Sequence, residues 1–309
     1  MNILVTGGAG FIGSHIQDRL IALGHKVGII DNLRSGKKAN LHPQSVFFEI
    51  DIRDQKHIPK IFSDFQPQAV FHLAAQNEVP YSMDHPFEDA DINITGMINL
   101  LESSRLHGLP KFIYSNTGGA YYGEVPDSHL PLPEDEPVLA PTSFYGVSKA
   151  AAEQYLRLYG QVYRLPWVSL RYSNVYGPRQ DGNREAGIVA IFTQKLHQKQ
   201  TPTIHGDGLH TRDYVFVSDV VDANIAALDY PTNDYFNISS GSATSNLAVF
   251  DTLESRFKTG FKPQMGPDRP GDVRHNSLSP TKAKKLLGWT PKTPFPEGIR
   301  LTVAYYQSH

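Results

Sequence analysis

Cysteine is absent from all 309 residues. That excludes disulfides, thiolate metal sites and cysteine nucleophiles, and it is compatible with a reducing compartment. Charge of one sign is also missing. Lysine and arginine total 29 against 31 aspartates and glutamates, so no net field draws the chain to nucleic acid or a membrane surface. No apolar run approaches the roughly 20 residues needed to span a bilayer. Met1-Asn2-Ile3-Leu4-Val5 reads directly as a strand, without the basic segment and cleavage site of a secretory signal. Internal repeats, low-complexity tracts and free linkers are lacking as well. A cytoplasmic protein that acts on a small molecule is expected, with no metal, nucleic acid or membrane partner.

What is present is an alternation of short apolar runs and amphipathic stretches, the pattern of a parallel sheet built from βαβ units. Strands are predicted at Ile3 to Thr6, Lys26 to Asp31, Ser45 to Asp51, Ala69 to Leu73, Lys111 to Ser115 and Trp167 to Tyr172. Helices are predicted near Gly13 to Leu23, Asn93 to His107 and Ser148 to Tyr163. Beyond Tyr172 glycine and proline become frequent. The expected fold is α/β: a doubly wound parallel sheet of Rossmann type over residues 1–172, with a segment near 213–237 returning to it, and a smaller α/β substrate domain over 173–309. A ligand cleft is expected between the two.

After the first strand comes Thr6-Gly7-Gly8-Ala9-Gly10-Phe11-Ile12-Gly13. Glycines there let the backbone approach a pyrophosphate seated on the positive end of the following helix. A glycine-rich turn alone says little. Here it lies between a strand and a helix, and Asp31 ends the second strand, where a carboxylate binds ribose hydroxyls and repels a 2'-phosphate. NAD is therefore expected rather than NADP, with Arg34 close enough to blunt that preference.

Tyr145-Gly146-Val147-Ser148-Lys149 puts a phenol and an ammonium on one face at the start of a helix. A free phenol, with a pKa near about 10, is a poor base at neutral pH, and adjacent positive charge favours its phenolate. In isolation the pair would be a helix-entry aromatic and a solvated charge. Beside a dinucleotide motif it reads as a redox acid–base pair. A partner hydroxyl is expected in Ser115-Asn116-Thr117-Gly118-Gly119-Ala120, at the end of the fifth predicted strand, although either hydroxyl there could be a turn former.

These segments, together with His72 to Gln76, Asn93, Arg171 to Gln180, Gly206-Asp207-Gly208, Arg212-Asp213-Tyr214 and Arg269-Pro270-Gly271-Asp272, resemble the extended short-chain dehydrogenases/reductases over nearly the whole chain. Within them the chain is most similar to the UDP-glucose 4-epimerase group. The resemblance implies Tyr145 as the base, Lys149 as its tuning cation and ribose ligand, and Thr117 as the catalytic hydroxyl, with Ser115 as the fallback. It implies NAD contacts from Gly7, Gly10, Phe11, Ile12, Gly13, Asp31, Asn32, Asp51, Ile52, Leu73, Ala74, Ala75, Gln76, Asn93 and Tyr172. For a UDP-sugar it implies Asn174, Gly187, Ile188, Val189, Thr203, His205, Arg212, Arg269, Asp272 and Asn276. Asn174, Arg212 and Arg269 would clamp the diphosphate, arginine being suited to paired phosphate contacts. Arg212 beside Asp213 could instead form a surface ion pair.

The activity implied is inversion at C4 of a UDP-hexose. Related dehydratases and decarboxylases carry a carboxylate after the catalytic hydroxyl, and none lies between Ser115 and Gly123 here. A large aromatic at the position of Asn276 would exclude an N-acetyl group, and the smaller asparagine leaves room for one. Arg179 or Arg184 could meet a uronate carboxylate. Pairing of the two central helices into a homodimer is expected by the same analogy.

Overall fold

The structure is a computed structural model and describes residues 1–136, 141–182, 187–268 and 273–308. In chain order its elements are β1 (Asn2–Thr6), α1 (Phe11–Ala22), β2 (Lys26–Asp31), β3 (Val46–Glu49), α2 (His57–Phe65), β4 (Ala69–His72), α3 (Val79–Asp84), α4 (Pro86–Ala90), α5 (Gly96–Leu106), β5 (Lys111–Thr117), α6 (Phe144–Tyr163), β6 (Trp167–Tyr172), β7 (Asn174–Tyr176), α7 (Ile188–His197), β8 (Thr203–His205), β9 (Thr211–Phe216), α8 (Val217–Asp229), β10 (Asp234–Ile238), β11 (Ala243–Ser245), α9 (Asn246–Phe257), β12 (Gln264–Gly266) and α10 (Phe295–Ser308).

A seven-stranded sheet runs in the order β3-β2-β1-β4-β5-β6-β10, and the pairings from β3 through β5 are parallel. This is the doubly wound order, and it reverses between β1 and β4. Ile3, Leu4 and Val5 are completely buried, as a central parallel strand covered on both faces requires. Helix α2 supplies the cover on one side. Its Ile58, Ile61, Phe62 and Phe65 recur at helical spacing and pack with Leu4, Val70, Leu100 and Phe112. Each such side chain fully buried contributes about 1.5–3 kcal/mol.

The chain divides into two compact units. The first holds Met1–Thr117, Ser143–Arg171 and Val221–Phe236; the second holds Gly118–Thr142, Tyr172–Val220 and Asn237–His309. A single boundary after residue 172 misses the excursion from Gly118. That segment joins the second unit because Leu132 bridges Leu278, Glu134 Oε1 accepts from Asn237 N at 2.8 Å, and the Tyr122 hydroxyl donates to Asn237 Oδ1 at 3.0 Å. The returning segment starts later than 213, because β9 pairs with β7 and β11 inside the second unit. That unit also pairs β8 with β12. Its core includes Tyr176 ringed by Tyr214, Phe216 and Phe295, with Gly298 packed so closely that an added Cβ would strike the Tyr176 hydroxyl.

Two predicted helices begin earlier than their apolar periodicity suggests. Helix α6 starts at Phe144 because Ser143 caps it, its Oγ accepting from Gly146 N at 3.1 Å, a bond worth about 1 kcal/mol. The helix predicted from Asn93 starts at Pro86, where the ring's missing N–H costs nothing, and passes through a π-turn at Asp91–Thr95 before α5. Among the described residues no helix is long and apolar enough to cross a membrane.

Candidate active site

The glycine loop follows β1 directly. Gly7 has φ +71° and touches the strand switch so closely that an added Cβ would lie 2.7 Å from Ala74 N; one at Gly13 would lie 2.2 Å from Gly7 O. Thr6 ties the two sides of that switch. Its Oγ1 lies 2.8 Å from His72 Nδ1 and accepts from Ala74 N at 3.1 Å. Burial, with Lys149 nearby, pushes the His72 imidazole down to about 3, so it stays neutral. Helix α1 starts after Gly10 with no side-chain cap and no acid in its first turn. The first-turn N–H groups of Phe11, Ile12 and Gly13 thus have no intrahelical acceptor, and with the helix dipole they suit a pyrophosphate.

Asp31 is 7% exposed, and its carboxylate accepts from Ala9 N at 3.0 Å and Leu33 N at 2.8 Å. It therefore also latches the glycine loop to β2, and burial raises its pKa despite those bonds. Asn32 donates to Asp51, whose carboxylate is gripped by Arg53 and held down at about 2. Ile52, behind it, is buried. Arg34 pairs with Glu88 and lies over the Tyr81 ring. Leu73 to Gln76 leave the end of β4. Asn93, in the π-turn, exchanges hydrogen bonds of 2.9 Å with the Gln76 backbone and donates to Ser148 Oγ at 3.0 Å. It links the β4 loop to the helix that bears the acid–base pair.

Thr117, the last residue of β5, brings its side chain within hydrogen-bonding reach of the Tyr145 phenol on that helix. The Lys149 ammonium donates to the Ser115 carbonyl oxygen at 2.7 Å and sits 4.3 Å over the Tyr114 ring. Ser115 thus serves Lys149 through its backbone, while Thr117 meets the phenol. Burial pushes Tyr145 up to about 12 against the Thr117 bond, and pushes Lys149 down to about 7 against the pull of Asp89 and Glu153. Desolvation is the largest cause at both groups, and positive charge beside the phenol works against it.

Asp89 was not singled out from the sequence. It is completely buried on α4 and accepts from Gln76 Nε2 and Asn93 Nδ2 at 3.0 and 3.2 Å. Glu153 was also missed, although its spacing of four from Lys149 continues the Tyr-x-x-x-Lys face and could have pointed to it.

In the second unit, β9 is the common support. Asn174 lies opposite Tyr214, Arg212 shares that face two residues earlier, and Asn276 N donates to Thr211 O at 3.2 Å. Arg212 donates to Thr211 O at 2.8 Å, whereas the Asp213 carboxylate is buried and accepts from Ser240, Gly241, Leu278 and Ser173. The neighbouring charges therefore have separate tasks. Asn276 is 1% exposed, and among the described residues neither polar atom of its amide has a hydrogen-bond partner, an expensive arrangement unless another group completes it. Gly187, Ile188 and Val189 open α7, whose first turn also lacks a side-chain cap, and Thr203 and His205 lie on β8. Tyr172 ends β6 and is buried. Arg184, Arg269 and Asp272 lie outside the described residues.

The sequence profile of the NAD dependent epimerase/dehydratase family matches residues 3–239. The chain belongs to that family. It is 41% identical over 315 residues to a UDP-glucose 4-epimerase of Mycolicibacterium smegmatis, covering all of this chain and 99% of the relative. Among solved structures, it is similar to a Thermotoga maritima UDP-glucose 4-epimerase with UDP-glucose, at 47% identity and a TM-score of 0.98 over 100% and 99% of the two chains. A Methanobrevibacter ruminantium UDP-N-acetylglucosamine 4-epimerase in complex with UDP-N-acetylmuramic acid matches at 35% identity and a TM-score of 0.93, covering 99% and 98%. As a member of an NAD dependent family, the chain has in its glycine loop, capless α1 terminus and Asp31 the groups that fit that cofactor.

Proposed function

We infer that this enzyme is an NAD-dependent 4-epimerase of UDP-hexoses, acting on UDP-glucose and UDP-galactose and on their N-acetylamino counterparts. The single observation that carries the chemistry is the approach of the Thr117 side chain to the Tyr145 phenol, with the buried Lys149 ammonium anchored one turn along the same helix. Bound NAD supplies reversible hydride transfer at C4 of the hexose. Tyr145 takes the C4 hydroxyl proton as that carbon is oxidised, Thr117 holds the same oxygen by a hydrogen bond, and Lys149 contributes the cation that makes a phenolate tolerable in a buried site. Asn174, Arg212 and Arg269 hold the diphosphate, with the remaining contacts from Gly187, Ile188, Val189, Thr203, His205 and Asp272. Because the diphosphate is held, the 4-keto ring can turn its other face before Tyr145 gives the proton back.

Elimination or decarboxylation would need a carboxylate beside the hydroxyl, and Thr117 is followed by Gly118-Gly119. The Asn276 amide, unpartnered among the described residues, supports the N-acetyl substrates, being able to accept from and donate to an acetamido group. Incubation with UDP-glucose and with UDP-N-acetylglucosamine, products resolved by NMR, should give the C4 epimer of each. Asn276→Tyr should cut turnover of the acetylated sugar at least about tenfold and spare UDP-glucose. Equal losses on both sugars would remove the pocket assignment.

A second copy of the chain is proposed as partner. Val147, Tyr155, Leu158 and Val162 are exposed along one stripe of α6, and Leu106 is exposed at the end of α5. Sedimentation velocity should return a dimer at micromolar protein; a monomer would contradict the pairing.

A further inference from the structure

Asn116 separates two residues with opposite tasks: Ser115, whose carbonyl oxygen holds Lys149, and Thr117, whose side chain meets Tyr145. It is 3% exposed, and its amide is used at both ends. Oδ1 accepts the Thr117 backbone N–H at 2.8 Å, and Nδ2 donates to Glu153 Oε2 at 2.9 Å. Glu153 lies on α6 one turn beyond Lys149 and two beyond Tyr145, on the face they share.

The Glu153 carboxylate is completely buried. It also accepts from Ser169 Oγ at 2.7 Å and from Arg171 through Nε at 3.1 Å and through Nη2, while the Arg171 guanidinium stacks on Tyr235 at 4.3 Å. A buried charge met by donors from two strands resists displacement, because losing any one of them leaves the charge short of a partner. The helix that carries the phenol and the ammonium is thereby pinned to the residue just before the hydroxyl.

We propose that Asn116 is a positioning residue that sets the Thr117 hydroxyl against the Tyr145 phenol, by fixing the Thr117 backbone to Glu153 on the helix bearing Tyr145. The proposal rests on the catalytic reading of Thr117 given above. Asn116 touches neither substrate nor cofactor in this scheme. Its loss should therefore appear in kcat rather than in KM, through a small misplacement of the hydroxyl.

The test is a double-mutant cycle of Asn116→Ala and Thr117→Ala on the full-length enzyme, with kcat and KM measured for UDP-glucose and Tm recorded for each variant. Asn116→Ala should lower kcat about tenfold with KM within about twofold, and Thr117→Ala about 100-fold. The double variant should match Thr117→Ala within about twofold, since a positioning residue has nothing left to position. Asn116→Ser keeps a shorter donor for Glu153 and should fold with a wild-type Tm while its kcat lies between wild type and Asn116→Ala, so the cycle can be read on serine if the alanine variant is unstable.

Multiplied, independent losses would overturn the proposal, as would a falling Tm with unchanged kcat. If Thr117→Ala is itself silent, the catalytic reading of Thr117 fails and this inference goes with it. If Thr117→Ala is impaired and both Asn116 variants are not, only the positioning role fails.

Discussion

Tyr145→Phe is expected to lower kcat about 1000-fold on UDP-glucose while leaving KM within a few-fold. The substitution removes one oxygen from a partly buried ring and keeps its packing, so the helix cap at Ser143 and the Ser82 bond to the Tyr145 backbone survive. What disappears is the only group in the site proposed to take the C4 proton. Lys149 does not replace it, because its ammonium is committed to the Ser115 carbonyl oxygen. Steady-state kinetics, with thermal melts to show an intact fold, check this outcome. A loss below about tenfold would mean that the proton leaves by another route.

The second large effect lies at the other end of the site. Gly13→Ala should weaken NAD binding about 100-fold, close to 2.7 kcal/mol, and lower Tm by about 5 °C. An added Cβ at Gly13 would lie 2.2 Å from Gly7 O and 2.9 Å from Gly8 Cα, and both neighbours are backbone. Relief requires α1 to move off the glycine loop, and with it the N–H groups that face the pyrophosphate. Gly10→Ala is the graded control: its Cβ would meet Gly7 O at 3.1 Å, so a smaller loss is expected. Titration calorimetry with NAD separates the two. Equal, small effects would remove the close-packing account of the loop.

The legible part of the sequence is the part with short periods. Each βαβ step of the sheet is local in the chain, so its strands and the glycine loop can be read from runs of ten to thirty residues. The same holds for Tyr145 and Lys149, whose meeting needs only helical spacing. The unread features depend on contacts between distant segments. Ser143 caps α6 through a hydroxyl that reads equally well as loop, and Pro86 starts a helix whose apolar repeat becomes regular only later. Residues 118–142 join the second unit through Asn237 and Leu278, far along the chain. Asp89, Asn116 and Glu153 look like ordinary polar residues until burial removes their water and leaves each dependent on named partners.

Asn276 illustrates the opposite case. The sequence places it by resemblance alone, and the structure adds a physical reason for interest, a buried amide whose two polar atoms have no partner among the described residues. Arg184, Arg269 and Asp272, outside the described residues, carry the remaining expectations, which stand as part of the proposed function.

The central claim is that one carbon gives up a hydride and receives the same hydride back on its other face. UDP-glucose labelled with deuterium at C4 tests it most directly, with products followed by NMR and NADH by absorbance. The account predicts UDP-galactose that retains the deuterium at C4, with no net NADH. Label lost to water, accumulating NADH, or a dehydrated or decarboxylated product would contradict it.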